Sequence, residues 1–161
     1  MTLEGQAMDT AATDKTFDVA TSFLGGQSHL SVAVHNGMDA HKLIQRGIPA
    51  KAVQVLVANV SSMSEKGFME KALGMSLRTF QRSKQDETRL LSPEQSGRTW
   101  KFVEILARAT QLLGSKKDAE EWLEKPAIAL DGQCPIDLMT TPAGAKLVEE
   151  HLLRLEYGVY V

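Results

Sequence analysis

The chain has 161 residues, which is close to the size of one ordinary domain or two very small ones. Hydrophobic residues make up 43% and charged residues 24%, so a disordered chain is excluded and a soluble globular protein is expected. The net charge of −2 argues against a uniformly basic nucleic-acid binder, and the single cysteine, Cys134, excludes an internal disulfide and fits a cytoplasmic location. The longest apolar stretch, Val53 to Val60, is too short to span a membrane, and the first twenty residues do not form a signal peptide.

The N-terminal segment shows weak periodicity and is rich in Thr, Ala, Asp and Gly over residues 1–26. A short helix is predicted near Phe17–Phe23, followed by a break at Leu24-Gly25-Gly26. We therefore expect a flexible N-terminal arm over residues 1–38.

Two helices are predicted after this arm. From Asp39, the positions of Leu43 and Ile44 indicate a helix that ends at Gly47. Pro49 suits the first turn of the next helix, because its missing N–H needs no partner there. That second helix carries an i, i+3, i+4, i+7 apolar stripe of Val53, Leu56, Val57 and Val60.

Residues 64–82 have the pattern of a helix-turn-helix, with a first helix at about 64–73. Gly74 can end that helix in the left-handed conformation, and Ser76 is a suitable N-cap for the second. We expect Leu77 and Phe80 to face inward. The candidate DNA-binding residues are Ser76, Arg78, Thr79, Gln81, Arg82 and Lys84.

The side chains of the second helix suit two kinds of DNA contact. Arg78 and Gln81 match the edges of guanine and adenine in the major groove. Arg82 and Lys84 suit phosphates, which position a protein without specifying sequence. Two helices with a glycine between them are also common in helical domains that bind no DNA, so this pattern alone leaves both interpretations open.

Charge is segregated along the chain. Eight basic and four acidic residues lie between Lys66 and Lys101, whereas five basic and nine acidic residues lie between Lys116 and Val161. The basic middle coincides with the helix-turn-helix and can neutralise phosphates. The acidic end would repel DNA and suits a protein partner.

The remaining elements are also helical. A polar connection is expected from Asp86 to Arg98, although Leu91-Ser92-Pro93-Glu94 is a helix-start signal. The next predicted elements are a helix over Trp100–Leu113, a short helix over Asp118–Leu123, a loop over Pro126–Pro135, a short helix over Pro135–Met139, and a last helix from Thr141 to Gly158. Because no strand-like alternation exceeds four residues, the predicted fold class is all-α.

Several segments resemble the Xre/MbcA/ParS family of antitoxins. They are Gly47-Ile48-Pro49, the block from Lys71 to Arg82, and the stretches Ala119–Pro126, Ala129–Met139 and Gly144–Gly158. The resemblance runs from about residue 43 to 158 and does not cover the N-terminal arm. It retains a Ser-x-Arg step at Ser96-Gly97-Arg98, but has Asp131-Gly132 where the family often has two glycines.

The resemblance implies a protein of two parts. An Xre-like helix-turn-helix region, placed at residues 39–98, would bind double-stranded operator DNA of its own operon as a repressor. A small helical region, placed at residues 99–161, would bind the cognate toxin, which in this family is typically a RES-domain protein that consumes NAD⁺. Self-association to a dimer is also implied.

The last helix and the tail carry the candidate toxin-binding residues. Tyr160, in the apolar tail Val159-Tyr160-Val161, suits an aromatic anchor in a partner's cleft. Such a tail is equally a frayed end or a filler of the chain's own core. The candidates are Glu149, Glu150, Arg154, Glu156, Tyr157, Gly158, Tyr160 and Val161.

The sequence offers no support for an enzyme. The four histidines share no metal-ligand spacing, and no paired carboxylates or glycine-rich phosphate loop occur, so we expect no catalytic residue, no metal and no cofactor. Two alternatives to an antitoxin remain open. One is a stand-alone helix-turn-helix transcriptional regulator whose C-terminal region only dimerises, and the other is a protein–protein adaptor with a degenerate helix-turn-helix.

Overall fold

The computed structural model describes residues 15–158 of the chain. Its helices, in chain order, are α1 (residues 15–23), α2 (Gln27–Leu30), α3 (Gly37–Arg46), α4 (Ala50–Asn59), α5 (Phe68–Leu73), α6 (Leu77–Ser83), α7 (Pro93–Leu113), α8 (Lys116–Leu123), α9 (Pro135–Leu138) and α10 (Pro142–Glu156). Short 3-10 helices lie at Ser61–Ser64 and Ile128–Leu130. No strand occurs between residues 15 and 158, and the all-α prediction is confirmed.

Helix α7 is the centre of the fold. It contacts α3, α5, α8 and α10, and its consecutive residues 105–107 are all fully buried, so more than one of its faces is covered. The expected boundary between the two regions, at residues 98 and 99, lies inside this continuous helix. Both regions therefore share one core.

The polar connection expected before Trp100 is wrong over its second half, since α7 begins seven residues earlier, at Pro93. Ser92 caps this helix with its side chain, as the start signal indicates. Ser96 is fully buried, and its Oγ accepts a hydrogen bond from the backbone N–H of Ile48 at 2.9 Å. In the sequence, Ser96 looks like a polar loop residue, because its hydrogen bond to a distant backbone group is not visible there. This explains why the sequence pattern predicts a polar connection at the start of α7.

The flexible arm expected over residues 1–38 is wrong for residues 15–38; residues 1–14 lie outside the described part of the chain. Phe17, Leu24 and Leu30 are buried in the common core. The ring of Phe17 stacks on that of Trp100 in α7, with centroids 5.9 Å apart. Burial of these apolar side chains outweighs the weak local helix signal.

The connection from α6 to α7 docks on the start of α4. The backbone N–H of Leu91 donates to the carbonyl oxygen of Ile48 at 2.9 Å, and that of Ala50 donates to Arg89 O at 2.8 Å. Gly47 has a φ of 105°, and a Cβ there would overlap the carbonyl oxygen of Leu91. This close approach requires glycine at position 47.

The N-terminal helix is expected to contribute to global stability. Phe17→Ala should lower the free energy of unfolding by about 3 kcal/mol, because it removes a buried ring from the core. Urea denaturation of the full chain measures this change. Met38→Ala, at an exposed side chain on α3, is the matched control and should change stability by less than about 0.5 kcal/mol. Equal effects of the two substitutions would show that α1 is not part of the cooperative core.

Candidate functional site

The predicted helix-turn-helix is formed by α5 and α6. Gly74 ends α5 with a φ of 67°, and the Ser76 side chain accepts from the backbone N–H of Thr79 at 3.1 Å. The first helix is shorter than the expected 64–73. It begins at Phe68 because the residue before it, Gly67, is left-handed and separates it from the 3-10 helix.

One side of α6 faces solvent. Phe80 is buried, as expected, but the inward orientation expected for Leu77 is wrong, since this side chain is 58% exposed. Leu77 opens the helix, so its side chain lies beyond the edge of the core that Phe80 fills. The exposed residues of this helix and its C-terminal cap are Leu77, Arg78, Thr79, Gln81, Arg82 and Lys84.

Some of these side chains already make contacts within the chain, and others do not. The Ser76 hydroxyl donates to the Thr79 hydroxyl at 3.0 Å, so both residues are partnered within the turn. The Lys84 ammonium lies 5.2 Å from the centre of the Phe80 ring. Within residues 15–158, three polar side chains of the helix make no hydrogen bond or ion pair: Arg78, Gln81 and Arg82.

Arg98 fixes the turn from outside. Its guanidinium donates to the carbonyl oxygens of Lys71 at 3.0 Å and Glu70 at 3.4 Å, which lie at the C-terminal end of α5. A Cβ at position 74 would overlap this guanidinium, so Gly74 is needed for the contact as well as for its φ. The sequence places Arg98 among the basic residues of the middle segment, whereas the structure engages it inside the fold.

Two ion pairs join α5 and α7 to the C-terminal helices α9 and α10. Lys71 on α5 pairs with Asp137 on α9 at 2.6 Å, and hydrogen bonding to that carboxylate raises the pKa of Lys71. Lys101 on α7 pairs with Glu149 on α10 at 2.6 Å. Together with Arg98, these contacts engage three of the eight basic residues of the middle segment. Arg78 and Arg82 on α6 are among the five that remain exposed.

The candidate residues of α10 divide in the same way. Glu149 is paired with Lys101, and Glu150 is half-buried. The exposed candidates are Arg154, Glu156, Tyr157 and Gly158. Tyr160 and Val161 lie outside the described residues.

His151 holds α10 against α8. Its ring stacks on that of Trp122 with centroids 6.0 Å apart. Burial, with a smaller effect of the nearby Arg154 charge, lowers the pKa of His151. Folding therefore favours the neutral ring, so the contribution of His151 to stability is present above the ordinary histidine pKa and is lost as the pH falls through the lowered pKa.

The loop before α9 is tightly closed. The backbones of Ala127 and Gln133 pair as an isolated bridge. Asp131 adopts a left-handed conformation with a φ of 56°, and Gly132 has a φ of 75°. Asp tolerates this region better than most residues, which explains how it replaces a glycine here. At the tip, Ile128 is 94% exposed, a feature that sequence reasoning missed because the loop has no periodicity to assign its orientation.

Neither a metal site nor a membrane span is evident in the described part of the chain. Among residues 15–158, no three His, Cys, Asp or Glu side chains are grouped so as to hold a metal ion. None of the described helices is both long and apolar enough to cross a membrane.

Two family models match consecutive parts of the chain. The antitoxin Xre-like helix-turn-helix domain matches residues 39–104, which include α5 and α6. The antitoxin Xre/MbcA/ParS C-terminal toxin-binding domain matches residues 108–158, which include α8 to α10. The chain belongs to the Xre/MbcA/ParS family of antitoxins. The junction between the two matches lies within α7.

Curated relatives carry the same family name. The chain is 33% identical over 82 residues to an antitoxin Xre of Pseudomonas putida, a match that covers 51% of each chain. It is 33% identical over 91 residues to one of Yersinia enterocolitica, covering 56% of this chain and 61% of the relative. An antitoxin Xre of Photorhabdus laumondii is 26% identical over 125 residues, covering 77% of this chain and 82% of the relative. The chain therefore spans only about half to three fifths of the first two relatives.

The Arg98 contact should stabilise the turn. Arg98→Met keeps an apolar stem but leaves the carbonyl oxygen of Lys71 without its donor, whereas that of Glu70 keeps the N–H of Gly74. We therefore expect a loss of about 1 kcal/mol in the free energy of unfolding. Chemical denaturation measures it, with Arg82→Met as the control because Arg82 is exposed and without an internal partner in residues 15–158. If Arg98→Met were as stable as that control, Arg98 would not hold the turn.

Proposed function

We propose that this chain is an antitoxin and autorepressor. It binds and neutralises a RES-type toxin that degrades NAD⁺, and it represses its own operon by binding operator DNA. The observation that carries the proposal is the succession of a helix-turn-helix match and a toxin-binding match on one chain. Arg78, Gln81 and Arg82 on α6 are exposed and make no side-chain hydrogen bond or ion pair within residues 15–158. The chain acts by binding rather than by catalysis, in the cytoplasm, where operator DNA is found.

The DNA-binding part of the proposal places α6 in the major groove. Arg78 and Gln81 contact base edges, since both are exposed and unengaged within the described residues. Arg82 and Lys84 hold phosphates. Ser76 and Thr79 complete the surface, and a dimer would present two copies of it to the two halves of an operator.

Leu77 adds a contact that the sequence did not indicate. Its exposed side chain lies one turn before Gln81 on the same flank of α6, because residues four apart are neighbours on a helix. The C5-methyl group of thymine is the apolar feature of a base edge in the major groove. We therefore expect Leu77 and Gln81 to favour A·T base pairs.

The toxin-binding part of the proposal uses α10 and the residues after it. Arg154, Glu156 and Tyr157 are exposed near the end of α10, and the tail that carries Tyr160 and Val161 follows directly. The acidic composition of residues 116–161 suits basic groups around the phosphate-binding part of an NAD⁺ site. Glu150 and Gly158 belong to the same proposed surface, whereas Glu149 contributes only if its pair with Lys101 opens.

Operator binding tests the first part. We expect Arg78→Ala to cost about 1–3 kcal/mol on operator DNA and to relax specificity at one position, with little effect on random DNA. Arg82→Ala should weaken both DNAs and lower the slope of log K against log salt by about one. Titrations at several salt concentrations separate these behaviours. Equal losses on both DNAs for both variants would remove Arg78 from base contact.

The same titrations test Leu77 through the operator itself. Replacing one thymine by deoxyuridine removes only its methyl group. At the thymine that Leu77 contacts, this replacement should weaken operator binding by the wild-type chain and leave binding by Leu77→Ala unchanged. No such position in the footprint would rule out the contact.

Co-expression with the product of the adjacent gene, tagged on that partner, tests the second part. We expect the two chains to co-elute in size exclusion and NAD⁺ consumption to be suppressed. Truncation after Gly158 should retain the fold and lose neutralisation. Unchanged neutralisation would exclude the tail, and no complex with an equally active partner would favour a stand-alone regulator.

A further inference from the structure

Ile128 is displayed on the surface in an unusual way. Isoleucine is among the residue types most often fully buried in proteins, yet this side chain is 94% exposed. The other isoleucines of the chain are buried or partly buried: Ile44, Ile48, Ile105 and Ile136. Ile128 therefore differs from every other isoleucine of the chain and is the most exposed large hydrophobic residue between residues 15 and 158.

The loop that carries Ile128 is held by its own backbone. The backbone N–H of Ala127 donates to Gln133 O at 3.0 Å, and the backbone N–H of Gly132 donates to Ala127 O at 2.9 Å. The carbonyl of Ile128 accepts from Asp131 N–H at 3.1 Å, and the buried Leu130 anchors the 3-10 helix in the core. Because this backbone is already ordered, a partner that contacts Ile128 would not have to order the loop.

The surroundings of the loop indicate the partner. The 3-10 helix at Ile128–Leu130 packs against α10, within the part of the chain that matches the toxin-binding domain. Other exposed apolar side chains lie on α10, within the same matched part of the chain: Leu147, Leu153 and Tyr157. The region is acidic, with nine acidic and five basic residues between Lys116 and Val161.

This charge separates the possible occupants. DNA would be repelled by the acidic region. A two-fold contact with a second copy would bring the same acidic surface against itself. A protein partner with an apolar pocket and a basic rim matches both the exposed isoleucine and the acidic composition of residues 116–161.

We propose that Ile128 is an anchor residue of the toxin interface, inserting into an apolar pocket of the toxin whose rim is basic. This inference rests on the proposed function and deepens it, because it assigns part of the binding to a preformed loop away from the C-terminal tail. The tail and the loop then make separate contributions to the complex.

The test uses the full chain and the toxin encoded by the adjacent gene. Ile128→Asp should weaken the complex roughly 30-fold or more, as expected for a central interface residue, whereas Ile128→Val should bind within a few fold of wild type. Met38→Asp is the matched control, because Met38 is an exposed apolar residue on α3, outside the toxin-binding match. Isothermal titration gives the affinities, and the melting temperatures of all free variants should remain close to that of wild type.

The outcomes separate the inference from the proposed function. Wild-type binding with an unchanged affinity for Ile128→Asp would overturn the role of Ile128 and leave the antitoxin proposal intact. Equal losses for Ile128→Asp and Met38→Asp would also overturn it, as would a smaller molecular mass of free Ile128→Asp than of the free wild-type chain, since Ile128 would then serve self-association. No binding by the wild-type chain would overturn both.

Discussion

The burial of α7 is the constraint on which the rest of the structure depends. A helix with consecutive residues buried must be covered on several sides, and no single neighbour is wide enough to do this. The cover comes from four parts of the chain: α1 through Phe17, α3, the helix-turn-helix through α5, and the C-terminal region through α8 and α10. The two matched domains are therefore joined by a shared core rather than by a linker.

Polar contacts from the start of α7 then set the geometry of the DNA-binding part. Ser96 accepts a hydrogen bond from the backbone N–H of Ile48, just before α4. Arg98 donates hydrogen bonds to carbonyl oxygens at the C-terminal end of α5. Ser96 and Arg98 thus orient α4 and α5 from one turn of the central helix. Since Gly74 admits the guanidinium only because it lacks a side chain, residues distant in sequence are jointly required here.

The charged side chains that are available to partners are those that make no contact within the chain. Lys71, Arg98 and Lys101 are used inside the chain, so the unengaged cations of the helix-turn-helix lie on α6. Glu149 is likewise engaged, and the exposed candidates of α10 lie toward its C-terminal end. The basic surface and the acidic region are therefore smaller and more sharply defined than a count of charges along the chain indicates.

Local physics made much of this predictable. Left-handed glycine and side-chain caps mark helix ends within a few residues, so the turn at Gly74 and the N-caps at Ser76 and Ser92 are evident in the sequence. Periodicity and the absence of strand patterns determined the all-α class, and the resemblance of several segments to known antitoxins indicated the family.

What only the tertiary structure decided concerns contacts between residues far apart in the chain. The order of residues 15–38 depends on burial against α7, which the local composition does not encode. The exposure of Leu77 and Ile128 depends on where the core ends, and the roles of Ser96 and Arg98 depend on carbonyl and amide groups of other helices. The sequence by itself thus determined the helices, their caps and the family, whereas the tertiary structure decided which polar side chains are engaged and which apolar ones are free, because burial is a property of the packed chain and not of its neighbours in sequence.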